Sequence, residues 1–409
     1  MIPLVTERGD EVLSLLNDVD DDEEPVQLSD VASSFVTDTD WTTETILSQM
    51  RRGNIALNPR FQRRDAWDRA RKGRFIESLI LGLPIPQLVL AEDKRRRGSF
   101  IVLDGKQRLL TLAQFAKGSS LDSDSEDKYQ VLRLGGLEVR PDLQNVTLKD
   151  LEADPQQMDD LNSFLNQTIR TVVVRNWPDD DFLNLVFLRL NTGSVSLSPQ
   201  ELRQALHPGP FTDFLDDHAS SSKPLQEALK INGPDFRMRD VEILLRYFAL
   251  KTSLEKYRGS LKNFLDTASD DLNRRWAAED ASIRSLAANF DSAVAATLEI
   301  FGPNAFTRWN PTRNTYENRF NRAVFDVMVY YFSEESIRDA AIAKAGEVES
   351  RFRTISNDNP AFVDSMLTST KTIDALHTRL SLWGSALRTL TGVPFSVPTL
   401  SADRVLTKG

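Results

Sequence analysis

The sequence predicts an α+β protein: a mixed strand-and-helix domain over residues 41–210, followed by an all-α helical domain over 211–400. Three observations predict it. Up to about residue 210, short β-branched and aromatic runs alternate with stretches whose apolar residues recur every three or four positions. Beyond it strand signals almost vanish while helical spacing continues, punctuated at Gly302-Pro303 and Asn310-Pro311. Residues 1–40 carry the block DVDDDEE over Asp18–Glu24, whose like charges repel one another, and they read as a disordered acidic tail.

Thr42-Thr43-Glu44 opens a short helix to about Arg52, and Gly53 occupies the closing position. Asn54–Asn58 is a short strand candidate. The segment Pro59–Trp67 mixes Arg60, Arg63 and Arg64 with Phe61 and Trp67. That composition suits phosphate or nucleic acid, or a structural stack of Arg on Trp. A helix is predicted over Asp68–Leu81, stopped by Gly82, and Leu83–Pro86 is a stiff extended link. Gln87–Ala91 and Ser99–Leu103 read as a β-hairpin around Glu92–Gly98. The basic run in that turn offers Arg95, Arg96 and Arg97 as DNA contacts, or is a solvated turn.

Phe100–Phe115 (FIVLDGKQRLLTLAQF) carries the most information. An apolar strand run passes through Asp104-Gly105-Lys106-Gln107-Arg108 into a helix marked by Leu109, Leu112 and Phe115. A helix start leaves N–H groups unpaired and favours anions. With Lys106 and Arg108 beside it, the junction makes a phosphate cradle; read alone, it is a helix capped by Asp104 with two solvated cations. Gly105 lets backbone approach closely, and Arg108 can grip phosphate oxygens bidentately.

Gly118–Lys128 is an acidic loop, and residues 129–168 are expected to hold a weak pair of strands and a helix near Pro155–Gln167. Thr168–Arg175 is a strand, and Asp179 caps a helix to Leu190 that runs into Asn191-Thr192-Gly193. Ser198-Pro199-Gln200-Glu201 is a helix start with a capping box. In the second domain, helices are predicted over Val241–Leu250, Leu261–Leu272, Ile283–Phe301, Arg319–Phe332 and Ile373–Leu390. Tyr247, Phe248, Phe325, Tyr330 and Tyr331 are assigned to its core.

Composition excludes several chemistries. The 409 residues include no cysteine, which removes disulfides, thiolate nucleophiles and cysteine-ligated metals. The three histidines, His207, His218 and His377, have no metal-ligand spacing. No apolar run approaches the roughly 18 residues of a membrane span, and the N-terminus lacks a signal pattern, so the expected compartment is the cytoplasm. The net charge of −10 argues against a wholly basic nucleic-acid binder but leaves room for a local basic groove.

Four separated stretches together resemble one family. They are Asn58–Trp67, Phe75–Leu90, Leu103–Leu112 and Phe187–Arg203, in that order. They resemble the N-terminal domain of GmrSD-type, modification-dependent restriction endonucleases, which carries an Asp-Gly-Gln-Gln-Arg motif in a ParB/sulfiredoxin-like fold. The resemblance implies that the strand–turn–helix junction binds a nucleoside triphosphate. It implies a part in sensing modified phage DNA, coupled to triphosphate hydrolysis. On this sequence it points to Asp104, Gly105, Gln107 and Arg108, with Lys106 in place of the first Gln. That exchange retains a phosphate contact and loses an amide that could orient water. Asp104 and Gln107 are the implied catalytic residues, and Asp104 the implied Mg²⁺ ligand. Arg60, Arg63 and Asn191-Thr192-Gly193 are expected to wall the pocket. The His-Asn-His nuclease domain of the full enzymes has no counterpart here, which implies a separate nuclease or effector subunit. A homo-oligomer is the other assembly considered.

Three functions therefore compete. The first is a triphosphate-binding, hydrolysing, DNA-sensing component of an anti-phage system. The second is a non-enzymatic regulator that binds DNA or a partner and uses the nucleotide as a switch. The third is a DNA-nicking enzyme, disfavoured by the missing cysteines and paired histidines.

Overall fold

The structure is a computed structural model and describes residues 35–55, 65–122, 129–180, 182–183, 186, 198–367 and 370–407. These form two compact units. One holds residues 35–206 and 236–238, and the other holds 207–235 and 239–407.

The first unit is built on a four-stranded mixed sheet of order β1-β4-β2-β3. Its strands are β1 (Phe35–Thr42), β2 (Leu88–Glu92), β3 (Phe100–Asp104) and β4 (Thr168–Arg175). β1 pairs antiparallel with β4, β4 parallel with β2, and β2 antiparallel with β3. Side chains on β2 and β3 alternate between two cores. Leu88, Leu90 and Val102 enter one, while Val89, Ala91, Ile101 and Leu103 enter the other. A strand buried on both faces reads as an unbroken apolar run, which is why FIVL lacks polar alternation.

Helices α1 (Thr43–Arg51), α2 (Arg69–Ile80), α3 (Lys106–Ala116), α4 (Leu148–Ala153) and α5 (Met158–Asn166) supply the first core. The second core takes Leu202 and Leu206 from α6 (Pro199–Leu206). Thr42 and Asp68 cap these helices: Thr42 accepts from Thr45 N, and Asp68 accepts from Arg71 N at 2.7 Å. Gly53 and Gly82 close their helices with φ of +68°.

Two expectations are corrected in this unit. Strand β1 starts at Phe35, inside the stretch read as an acidic tail. Val, Thr and Trp are strand formers, and full-length pairing with β4 outweighs the acidic composition, with Asp38 meeting Arg170 at 2.8 Å. The pair of strands expected within 129–168 is absent among the described residues. There the chain runs irregularly and gives three backbone N–H groups, those of Glu138, Val139 and Arg140, to the Glu77 carboxylate. Of the candidate strand Asn54–Asn58, Ile55 bridges to Phe100, and residues 56–58 lie outside the described residues.

The second unit is helical: α7 (Pro210–Ser221), α8 (Lys223–Leu229), α9 (Arg239–Ser253), α10 (Leu261–Phe301), then α11 (Arg322–Phe332) to α15 (Ile373–Thr391). Where two helices are expected over Leu261–Leu272 and Ile283–Phe301, one helix of 41 residues runs through. The intervening residues are helix formers, stitched by Arg275 and Glu279 at 2.5 Å. Tyr247, Phe248, Phe325, Tyr330 and Tyr331 are all buried, as expected. A hairpin of β5 (Thr307–Asn310) and β6 (Thr315–Phe320) interrupts a region read as strand-free.

Candidate functional site

β3 delivers Asp104 to the edge of the first core, and Gly105 turns the chain into α3. Gly105 has φ +100°, a left-handed conformation that favours glycine. A Cβ built there would lie 2.2 Å from Leu88 Cδ2, 3.2 Å from Arg108 Nη2 and 3.4 Å from Arg108 Nε. The glycine thus makes room for Leu88 and for the Arg108 guanidinium. It is also the first residue of the cap, with no side-chain bond. The reading of Asp104 as the helix cap is therefore corrected. Its carboxylate turns to the arginine one helical turn on, accepting from Arg108 Nη2 at 2.8 Å. A charge-assisted bond to a buried guanidinium is stronger than a bond to a backbone amide that water can also reach.

The side chains after Gly105 each reach a different part of the chain. Lys106, 6% exposed, is ion-paired with Glu201, itself 4% exposed. Gln107 accepts from Ala66 N through Oε1 at 3.3 Å. Arg108 donates from Nη2 to the Gln87 carbonyl at 3.0 Å as well as to Asp104, while its buried Nε has no partner. Thus stretches around 66, 87, 104–108 and 201 meet at one helix N-terminus. Asp65 is held next to Ala66 by Lys72 and by Gln114 Nε2, the latter at 3.2 Å. That clasp joins α2 and α3 through Asp65, next to the residue whose N–H meets Gln107.

Glu201 performs a second task. Its Oε2 accepts from Ser198 N at 2.7 Å while Ser198 Oγ accepts from Glu201 N at 3.1 Å, the reciprocal box expected at the start of α6. Sequence reasoning assigns Glu201 to that box alone. Its other oxygen on Lys106 leaves no local signal, because the partner lies 95 residues away. Gln87, Asp65, Lys72 and Gln114 are likewise invisible in the sequence, being ordinary polar residues placed by the fold.

Other expected site residues fall elsewhere. Arg60, Arg63, Asn191, Thr192 and Gly193 lie outside the described residues. Arg95, Arg96 and Arg97 are exposed between β2 and β3. Arg95 N meets Asp93 Oδ1 at 2.9 Å, Arg96 reaches the Gly53 carbonyl at 3.5 Å, and Lys94 lies over Trp177 at 3.9 Å. Among the described residues, no group of three or more His, Asp or Glu is arranged to hold a metal ion.

Two features of the site would suit a phosphate group. The N–H groups of the first turn of α3 have no intrahelical acceptors, and Arg108 Nε is buried without a partner. A Mg²⁺ bound here would depend on Asp104 plus oxygens of the ligand itself, the usual manner for this ion.

Residues 43–208 match the family model described as GmrSD restriction endonuclease, N-terminal domain. The first unit of this chain resembles that domain. No curated protein and no solved structure matches the chain. The matched span contains every contact just described around Asp104–Arg108, and the helical unit lies beyond it. No helix among the described residues is long and apolar enough to cross a membrane.

Proposed function

We propose that this protein is a nucleotide-responsive, DNA-sensing component of a restriction or phage-defence system. One observation carries the reading. Three of the four sequence stretches reach the fourth at Asp104–Arg108, through Ala66, Gln87 and Glu201, each by its own hydrogen bond or ion pair, and all lie within the span that matches the restriction-endonuclease domain. Such convergence supports a ligand site at the start of α3, where backbone amides, Arg108 and Lys106 favour the phosphates of a nucleoside triphosphate. Asp104 would hold Mg²⁺ together with those phosphates, and Gln107 would orient a water molecule toward them.

The same geometry favours a switch over rapid turnover. Lys106 and Arg108 are already neutralised by Glu201 and Asp104. An arriving triphosphate must compete with two carboxylates, and in doing so it frees Glu201 from Lys106. A separate effector chain would carry any nuclease activity.

The test is calorimetry with the four ribonucleoside triphosphates and Mg²⁺, with and without duplex DNA. One triphosphate is expected to bind, and Arg108→Ala to weaken it by about tenfold or more. Absence of binding by the wild-type protein to all four would remove the reading. Binding without phosphate release, in the presence and absence of DNA, would select the switch.

A further inference from the structure

The β5–β6 hairpin of the helical unit is an arginine- and asparagine-rich feature not used so far. Residues 307–322 (TRWNPTRNTYENRFNR) contain four arginines, four asparagines and one glutamate, in a chain of net charge −10. Trp309 pairs with Tyr316 across the ribbon, their rings edge-on at 5.1 Å. Trp309 is buried and donates from Nε1 to Asn357 Oδ1 on α13 (Ala345–Asp358) at 2.8 Å. The aromatic pair thus fastens the ribbon to the helix and leaves its tip in solvent. At that tip Thr312, Arg313, Asn314 and Thr315 are all exposed. Within the turn Arg313 N donates to Asn310 Oδ1 at 3.1 Å, and Asn314 takes a left-handed φ of +51°. Between ribbon and helix lies a polar cleft of about 620 Å³, lined by Asn314, Asn318, Arg353 and Asn357, with Glu349 its one carboxylate. Arg308 is neutralised by Glu317 and Arg322 lies 3.9 Å from Glu242, whereas Arg313 and Arg353 have no ion-pair partner among the described residues, Arg353 lying over the Trp309 ring at 5.7 Å.

We infer that this ribbon and cleft form a contact surface for duplex DNA. A two-stranded ribbon fits the major groove, Asn and Arg are the side chains that read base edges there, and unpaired arginines neutralise phosphates. A protein this acidic must meet DNA through a local basic element, and the ribbon is one. Arg313 and Asn314 enter the groove, and Arg353 takes a flanking phosphate. The inference rests on the DNA-sensing half of the proposed function and assigns it to the helical unit.

The experiment is fluorescence anisotropy of a labelled duplex with the full chain, between about 50 and about 200 mM salt. The variants are Arg313→Ala, Arg353→Gln and their double, with thermal unfolding as the fold check. Arg313 is an exposed turn residue, so that variant keeps the fold. The expected result is a salt-dependence slope reduced by about one per arginine and an affinity about tenfold weaker in the double variant. Triphosphate binding stays unchanged. Wild-type binding that the double variant retains within about twofold would overturn the inference while leaving DNA sensing intact. So would loss of binding on Arg95→Ala/Arg96→Ala/Arg97→Ala alone. A wild-type protein that binds no duplex, or only RNA, overturns both the inference and DNA sensing; the triphosphate panel then judges the nucleotide site separately.

Discussion

Lys106 and Glu201 form an ion pair with both side chains almost wholly withdrawn from water. Removing one partner of such a pair leaves a buried charge, whereas removing both does not. Lys106→Ala is therefore expected to cost about 3–5 kcal/mol in urea unfolding. Lys106→Ala/Glu201→Gln should recover more than half of that loss, since the amide keeps the acceptor that Ser198 N needs. A double variant no more stable than the single one would show that the pair is not the source. Gly105 allows a second prediction at this scale. Gly105→Ala combines a positive φ with a Cβ driven into Leu88. It should destabilise by about 2–4 kcal/mol, read from the urea midpoint at unchanged slope.

At the scale of elements, Glu77 on α2 does what a neighbouring strand would otherwise do. Its carboxylate accepts from Glu138 N at 3.1 Å, Val139 N at 2.8 Å and Arg140 N at 2.7 Å, and so organises an irregular segment. Burial by itself raises its pKa. The bonds from the Arg140, Val139 and Glu138 amides, with the Arg140 charge, outweigh burial and hold the pKa below the ordinary value of 4.5. A carboxylate with a depressed folded pKa stabilises fully above its unfolded pKa. That stability is lost as pH falls from 4.5 through the lower folded value. Glu77→Gln should cost about 1.5–3 kcal/mol at neutral pH and flatten the fall in stability on acidification. An acid-unfolding curve with the wild-type slope would count against this role. Arg140 is fixed in turn by Asp160, at 2.6 and 2.8 Å, which ties the segment to α5.

For the whole molecule, the two units close their own cores, so each should respond to its own mutations. In the helical unit the buried Arg246 meets Asp326 through Nε at 3.0 Å and Nη2 at 2.5 Å, linking α9 to α11. Asp326→Ala removes both of these carboxylate acceptors from the buried guanidinium and should cost about 3–5 kcal/mol. In scanning calorimetry Asp326→Ala is expected to lower one transition and Glu77→Gln another. A single transition lowered equally by both would show that the units unfold as one.

Much of this was legible in the sequence because it depends on neighbours. Apolar spacing marks α2, α3 and β4, and the flanking Thr42, Asp68 and Ser198 show where helices begin, since caps act within three or four residues. The junction at Asp104–Arg108 is likewise visible as a strand run meeting a helix run, and its likeness to the restriction-endonuclease domain follows from the order of four such stretches. What the sequence did not determine is what Asp104, Lys106, Gln107 and Arg108 touch. Asp104 reads as a metal-holding carboxylate or a cap, and Lys106 as a phosphate contact or a solvated cation. Only the tertiary fold brings Glu201 to the lysine and the Gln87 carbonyl to the arginine, and turns Asp104 toward Arg108. The hairpin at Thr307–Phe320 was hidden for the same reason: its polar residues pair across a turn and hold by one tryptophan to a helix 48 residues further on. Local propensity decides backbone shape, because its forces act over a few residues. The pairing of buried charges is decided by desolvation, which exists only once the chain has closed around them.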